Sequence, residues 1–357
     1  MNDFNLKYFL AANSCEGFTS AFTGCYDAKK GWRAYIIKGG PGTGKSSFMK
    51  YLAAKADEKN IKLELCPCSS DPDSLDALIL PDKKIIILDG TAPHTVDPVY
   101  PGICEEILNF GSFWNKKALA DNAENIIKLT DKNKALHRAA SRYIQAAGQI
   151  MTDNLKIADA GTAKEKVDSF ALQLCKKYIP KKGGSSSEQV RYLCGTTPKG
   201  IVSFANTALA ATENHIIIED RYGIVADSIM QIIRSYALSH GYDIITIKNA
   251  FLPTRLIDHI IIPELSLSFL REYEFQHFVS DNRRIHARRF MSAKNLGKSR
   301  ERIRFNKKAI HELLLGAVTV LNEAKAVHDK LEDYYISAMN FDELTLFANE
   351  FAQTLFK

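Results

Sequence analysis

The stretch Gly39-Gly40-Pro41-Gly42-Thr43-Gly44-Lys45-Ser46 fits the spacing G-x-x-x-x-G-K-[ST]. Such residues could bind phosphate. Glycines let consecutive backbone N–H groups turn toward one point, and the positive end of a following helix adds to that nest. Lys45 would reach the β- and γ-phosphates of a nucleotide, and the Ser46 hydroxyl, next to Ser47, would hold Mg²⁺.

The neighbours suit that chemistry. Ala34-Tyr35-Ile36-Ile37-Lys38 reads as a strand entering the loop, and residues 47 to 55, with apolar Phe48, Met49, Leu52 and Ala53, read as a helix leaving it. A second strand, Lys84 to Leu88, ends in Asp89, where a carboxylate could hold Mg²⁺ through water. Gly90-Thr91-Ala92-Pro93-His94-Thr95-Val96-Asp97-Pro98 then forms a loop at the strand's C-terminal end, where ligands of open α/β sheets bind. His94 could orient water or a substrate hydroxyl. Asp97, Glu105 and Glu106 are further candidates for positioning water, with the two glutamates expected on a solvated helix face.

The chain has 357 residues, 46% hydrophobic and 25% charged, which is room for two globular domains. No apolar run approaches the ~20 residues of a membrane span. The first residues lack a basic start and apolar core, so a cytoplasmic location and no membrane partner are expected. The seven cysteines form no framework and suit reduced thiols. Cys66-Pro67-Cys68 is the only close pair; a metal would have to recruit His94 or Cys104, and without a second paired set the thiols read as buried or strand-end.

An internal repeat organises the chain. His215-Ile216-Ile217-Ile218-Glu219 lines up with residues 34 to 38, and the same offset places Gly223 with Gly42 and Pro253 with Pro72. One residue further along, Asp258 falls with Asp76 and Pro263 with Pro81. A Gly- and Ser-rich stretch at 181–188 separates the copies. The fold class expected is α/β, with two tandem P-loop NTPase-like domains, mostly parallel sheets and a long helical hairpin in each. The first would span 1–180, with its hairpin at about 115–178, and the second 189–357, with a helical arm at about 283–356.

The second loop departs from the first. Ala226 stands in place of Lys45, Asp227 in place of Ser46, and Glu219 and Asp220 add carboxylates that would repel a triphosphate. From Arg283 to Lys308 the arm holds eleven basic residues against the single acid Glu301. Such a run suits a solvated face, an anionic partner such as nucleic acid, or donation of an arginine to a nucleotide.

Residues 38 to 47, Asp89-Gly90-Thr91-Ala92-Pro93-His94 with Asp97, Pro98, Pro101 and Gly102, and Thr197-Pro198-Lys199-Gly200 together resemble a family of bacterial ATPase-like proteins built from two tandem P-loop domains. Members carry a phosphate loop in both halves, a pattern from which residues 223 to 228 depart. The resemblance implies ATP binding. No Asn-Lys-x-Asp accompanies the Asn-Lys pairs at 115, 133 and 306, which favours ATP over GTP. One site for Mg²⁺-dependent ATP hydrolysis is the leading expectation. A kinase whose lid lies near Arg138 and Arg142 and whose acceptor sits on residues 91 to 97 is one alternative, and a non-enzymatic switch binding nucleic acid is another.

Overall fold

The computed structural model describes residues 6–279 and 283–357. The first half opens with β1 (Leu6–Lys7) and a hairpin of β2 (Ala11–Ser14) and β3 (Gly17–Ser20). It continues through β4 (Arg33–Lys38), α1 (Lys45–Glu58), β5 (Glu64–Pro67), β6 (Leu75–Leu80), β7 (Ile85–Asp89) and β8 (Glu105–Asn109). The six-stranded sheet has the order β1-β5-β6-β7-β4-β8, with β6 antiparallel to the other five. Its strands are apolar on both faces because both are covered. Tyr35, Ile37, Leu78 and Ile87 pack with α1, while Ala34, Ile36, Ala77, Ile86 and Leu88 pack with Phe22 and the hairpin side.

Two strands of this sheet escaped the sequence reading. β6 lies between Pro72 and Pro81 and its apolar run is broken by Asp76, so it looks like a loop. β8 corrects the expected helix face for Glu105 and Glu106: both lie on a strand beside β4, Glu105 buried and Glu106 exposed.

The chain goes on through α2 (Lys116–Asp121), α3 (Ala123–Asp159), α4 (Lys164–Tyr178), β9 (Glu188–Arg191), β10 (Cys194–Thr197), β11 (Gly200–Ser203) and α5 (Ala205–Ala210). Next come β12 (Asn214–Glu219), α6 (Ile224–Ser239), β13 (Ile244–Lys248), β14 (Ile257–Ile262) and β15 (Leu267–Glu272). β16 (Arg283–His286), α7 (Ala293–Lys298), α8 (Arg300–Ala338) and α9 (Phe341–Leu355) complete it. The second sheet, β16-β12-β15-β14-β13-β9, repeats the first strand for strand, with β14 as its reversed member. The basic arm is therefore not helical from 283: its first four residues are strand β16, paired with β12. The sheets meet where Phe9 and Tyr192 exchange backbone hydrogen bonds of 2.8 and 2.9 Å.

The long helices pack otherwise than expected. In place of a hairpin within each half, α3 of one half runs antiparallel to α8 of the other. Arg302 pairs with Asp153 near one end, and Trp114 bridges Met339 at the other. Thirty-seven residues of α3 span about 55 Å. That length carries the chain from the first sheet to the second, where α4 buries Val167, Ala171, Leu174 and Cys175 against Val225, Ile229 and Ile233 of α6. α8 carries it back, and α9 buries Leu344, Ala348, Ala352 and Leu355 against Phe48, Met49 and Leu52 of α1. The crossings match: Trp114 bridges Met339 as Met291 bridges Thr162. Each sheet is thus completed by the other half's short helix. No helix among the described residues is long and apolar enough to cross a membrane.

Candidate functional site

The loop between β4 and α1 turns through two positive-φ glycines, Gly42 (66°) and Gly44 (81°), and Gly44 caps α1. Lys45, first in the helix, folds back over the loop. Its Nζ donates to the carbonyls of Gly40 (2.6 Å) and Gly39 (3.1 Å) and lies 3.6 Å from Asp89 Oδ2. The buried Thr43 hydroxyl donates to Gly40 O. Ser46 Oγ accepts the Leu75 N–H at 2.9 Å, tying the helix start to β6.

β6 brings in an acid that the sequence reading used only as a mark of the repeat. Ala77 pairs with Leu88, so Asp76 and Asp89, one step beyond, lie opposite each other at the end of neighbouring strands. Asp89 is held by Thr91, which donates its N–H (2.9 Å) and hydroxyl (2.5 Å) to Oδ1. Asp76 is buried and 3.2 Å from His94 Nε2. His94 is 8% exposed, its ring against Phe18 and Phe22. Burial pulls its pKa down, but the hydrogen bond and charge of Asp76, helped by Asp89, outweigh that and leave it raised. The partner of its Nε2 is therefore the Asp76 carboxylate.

Pro41, Gly42, Thr43, Gly44, Lys45, Ser46 and Ser47, with Asp76 and Asp89, line a cavity of about 410 Å³, a volume in the range of small-molecule sites. Most of its roof comes from the far half. Lys325, His328, Glu332 and Ile336 of α8 and Phe341 of α9 face the loop, with His137 of α3. Arg138 and Arg142, expected beside a lid, are not among the lining residues. Glu332 Oε1 accepts the Gly42 N–H at 3.1 Å. A Cβ on Gly40 would come within 2.7 Å of the Tyr335 ring, and one on Gly42 within 2.8 Å of the Glu332 carbonyl. The glycines thus admit α8 as well as the turn.

The second loop also turns through a positive-φ glycine into a helix, with the opposite charge arrangement. Gly223 (φ 96°) precedes α6 as Gly44 precedes α1, and Asp227 Oδ1 accepts the Ile257 N–H as Ser46 accepts that of Leu75. The nest is filled from within: Asp220, 1% exposed, accepts the N–H groups of Val225 and Ala226 at 2.9 Å and of Tyr222 at 3.0 Å. Arg271 stands on β15 where Asp89 stands on β7. It donates to Asp220 O (2.9 Å) and Asp258 Oδ1 (2.7 Å), and a Cβ on Gly223 would meet its guanidinium at 2.8 Å. Glu219 turns away to Arg284 and His286.

Other sequence candidates have other partners. Asp97 is exposed and pairs with Lys38 at 2.7 Å. Lys38 also donates to the carbonyls of Gly90 and Val96, both 2.8 Å, which pins the 90–97 loop. Glu105 accepts from Tyr26 Oη at 2.7 Å and from the N–H groups of Val99 and Tyr100, and lies outside the cavity lining. In the basic run, Arg284, Arg302 and Lys307 pair with Glu272, Asp153 and Glu274, and Arg283 donates to Tyr178. Cys66 is buried in the core on the hairpin side while Cys68 lines the cavity, because a register shift at Cys66/Pro67 breaks the strand's alternation. No family model, curated protein or solved structure matches the chain in the three comparisons made.

Proposed function

We propose that the chain is a tandem pair of P-loop NTPase-like units, in line with its resemblance to the bacterial ATPase-like family, with one working site for Mg²⁺-ATP in the first half. The observation that carries the proposal is the convergence of the loop N–H groups, Lys45, Ser46 and Asp89 on one cavity at the start of α1. Oxygen donors alone, the Ser46 hydroxyl and the Asp89 carboxylate, suit a hard cation. Mg²⁺ held there would neutralise phosphate charge; ATP hydrolysis is the reaction proposed.

The chain's own residues would then act in concert. Lys45 leaves the Gly39 and Gly40 carbonyls for phosphate oxygens, and the loop N–H groups, that of Gly42 freed of Glu332, donate to the same group. Thr91 keeps Asp89 oriented. The second half, its nest filled by Asp220, serves as roof and regulator. Titration calorimetry tests the reading: Lys45→Ala should abolish Mg²⁺-ATP binding that the parent chain shows. Unchanged affinity would overturn it, and transfer of phosphate to an added acceptor in preference to water would replace hydrolysis with a kinase reaction.

A further inference from the structure

We propose a transition-metal site, of the Zn²⁺ class, formed by Cys68, Asp76 and His94 in the wall of the same cavity. One ligand atom from each of the three lies within 4.8 Å of the others, close enough to share one ion. The donors are a sulfur, a carboxylate oxygen and an imidazole nitrogen, the mixture that zinc accepts and that Mg²⁺ does not favour. Three unconnected elements bring them together: Cys68 follows β5, Asp76 lies on β6 and His94 on the loop after β7. Asp76 and His94 are buried, and the other ring nitrogen of His94, Nδ1, is buried with no hydrogen-bond partner.

The second half supplies an internal comparison. Asp258 is placed on β14 as Asp76 is on β6 and is likewise buried, yet its surroundings are Asn249, which donates to it at 2.9 Å, and Arg271. The position matching His94, continuing the spacing that pairs Asp76 with Asp258, is Gln276. Where the phosphate-loop lysine is absent, the thiol and the imidazole are absent with it, and an arginine neutralises the aspartate. The metal-capable set therefore accompanies the open cavity. Cys68 and Asp76 line that cavity while His94 stands behind them, so three protein ligands would leave a fourth position facing it. That is the arrangement of a catalytic rather than a closed structural zinc.

The site does not depend on nucleotide binding and is tested without nucleotide. Full-length protein purified without chelator should carry close to one zinc per chain by plasma mass spectrometry. Co²⁺ in its place should give tetrahedral bands and a thiolate charge-transfer band. Cys68→Ser should remove the charge-transfer band, and Cys68→Ser and His94→Ala should each weaken Zn²⁺ affinity, measured by competition with a chelating dye, by about 100-fold or more, since loss even of an outer-shell partner costs 10–100-fold. Cys104→Ser should change nothing. Alkylation of the parent chain followed by peptide mapping needs no variant: Zn²⁺ should shield Cys68 and leave Cys104 reactive. Zinc-free protein that fails to take up Zn²⁺, binding that survives Cys68→Ser unchanged, or equal alkylation of Cys68 with and without Zn²⁺ would overturn the proposal.

Discussion

On the proposed function, Glu332→Gln should tighten Mg²⁺-ATP binding. The Glu332 carboxylate holds the Gly42 N–H at 3.1 Å, and a phosphate oxygen cannot take that N–H until the carboxylate leaves. A hydrogen bond to a charged group contributes about 1.5–3 kcal/mol when sheltered. The Glu332 side chain is 32% exposed, and solvent screening brings that down to about 1–1.5 kcal/mol. Glutamine keeps the shape and a weaker neutral acceptor, so about half of that cost disappears. The displaced charge would also stay near the phosphates: at roughly 8 Å in water each phosphate charge contributes about 0.5 kcal/mol before salt, and less than half of that at physiological ionic strength. Together these come to about 1 kcal/mol, or roughly fivefold in affinity. Titration calorimetry at two salt concentrations reads the effect, which should shrink at high salt. Unchanged or weaker binding in Glu332→Gln would refute the competition and make Glu332 a ligand-holding group instead.

Further outcomes follow from other contacts. Asp220→Ala removes the acceptor of three N–H groups, two of them in buried hydrogen bonds, and should lower stability by about 3 kcal/mol or more in urea unfolding, as loss of a buried charged partner does. His259 is held neutral by burial, its pKa pushed down to about 4 from 6.5 while Nδ1 accepts the Arg271 N–H. The unfolded chain then takes up the proton first, so this contribution is full above pH 6.5 and drains as pH falls toward 4, by about 3 kcal/mol in all. Stability of His259→Gln should fall less steeply across that window. Gly148→Ala would put a Cβ 2.2 Å from Cys15 Cβ, and should cost about 1–3 kcal/mol despite alanine's better helix propensity. Thermal melts would detect the loss, and an unchanged midpoint would show that β2 can shift.

What could be read in advance was local. The loop stands out because eight residues of fixed type follow one spacing, and Asp89 because an acid ends a run of isoleucines. Asp76 stayed hidden because its strand looks like a loop between prolines; the repeat that pairs it with Asp258 was the signal available. The exchange of α4 and α9 had no local signature. Both are fifteen-residue helices with one apolar face, and either sheet offers a matching groove. Only the length of α3 and α8 decides which helix reaches which sheet. Self-neutralisation of the second loop was half visible: the acids could be seen, but not that Asp220 would turn inward onto N–H groups and Glu219 outward onto Arg284.

The exchanged helices also order events in time during synthesis. Domains commonly fold as they emerge from the ribosome. Here the apolar side of α1 has its cover, Leu344 to Phe356, almost three hundred residues downstream. The first sheet can pair its strands early, but the cavity beside Lys45 has no roof until residues 324 to 341 exist. A chain stopped short would keep the loop of residues 39 to 46 and lack the walls that make it a pocket. The pocket is therefore complete only once α9 has been made.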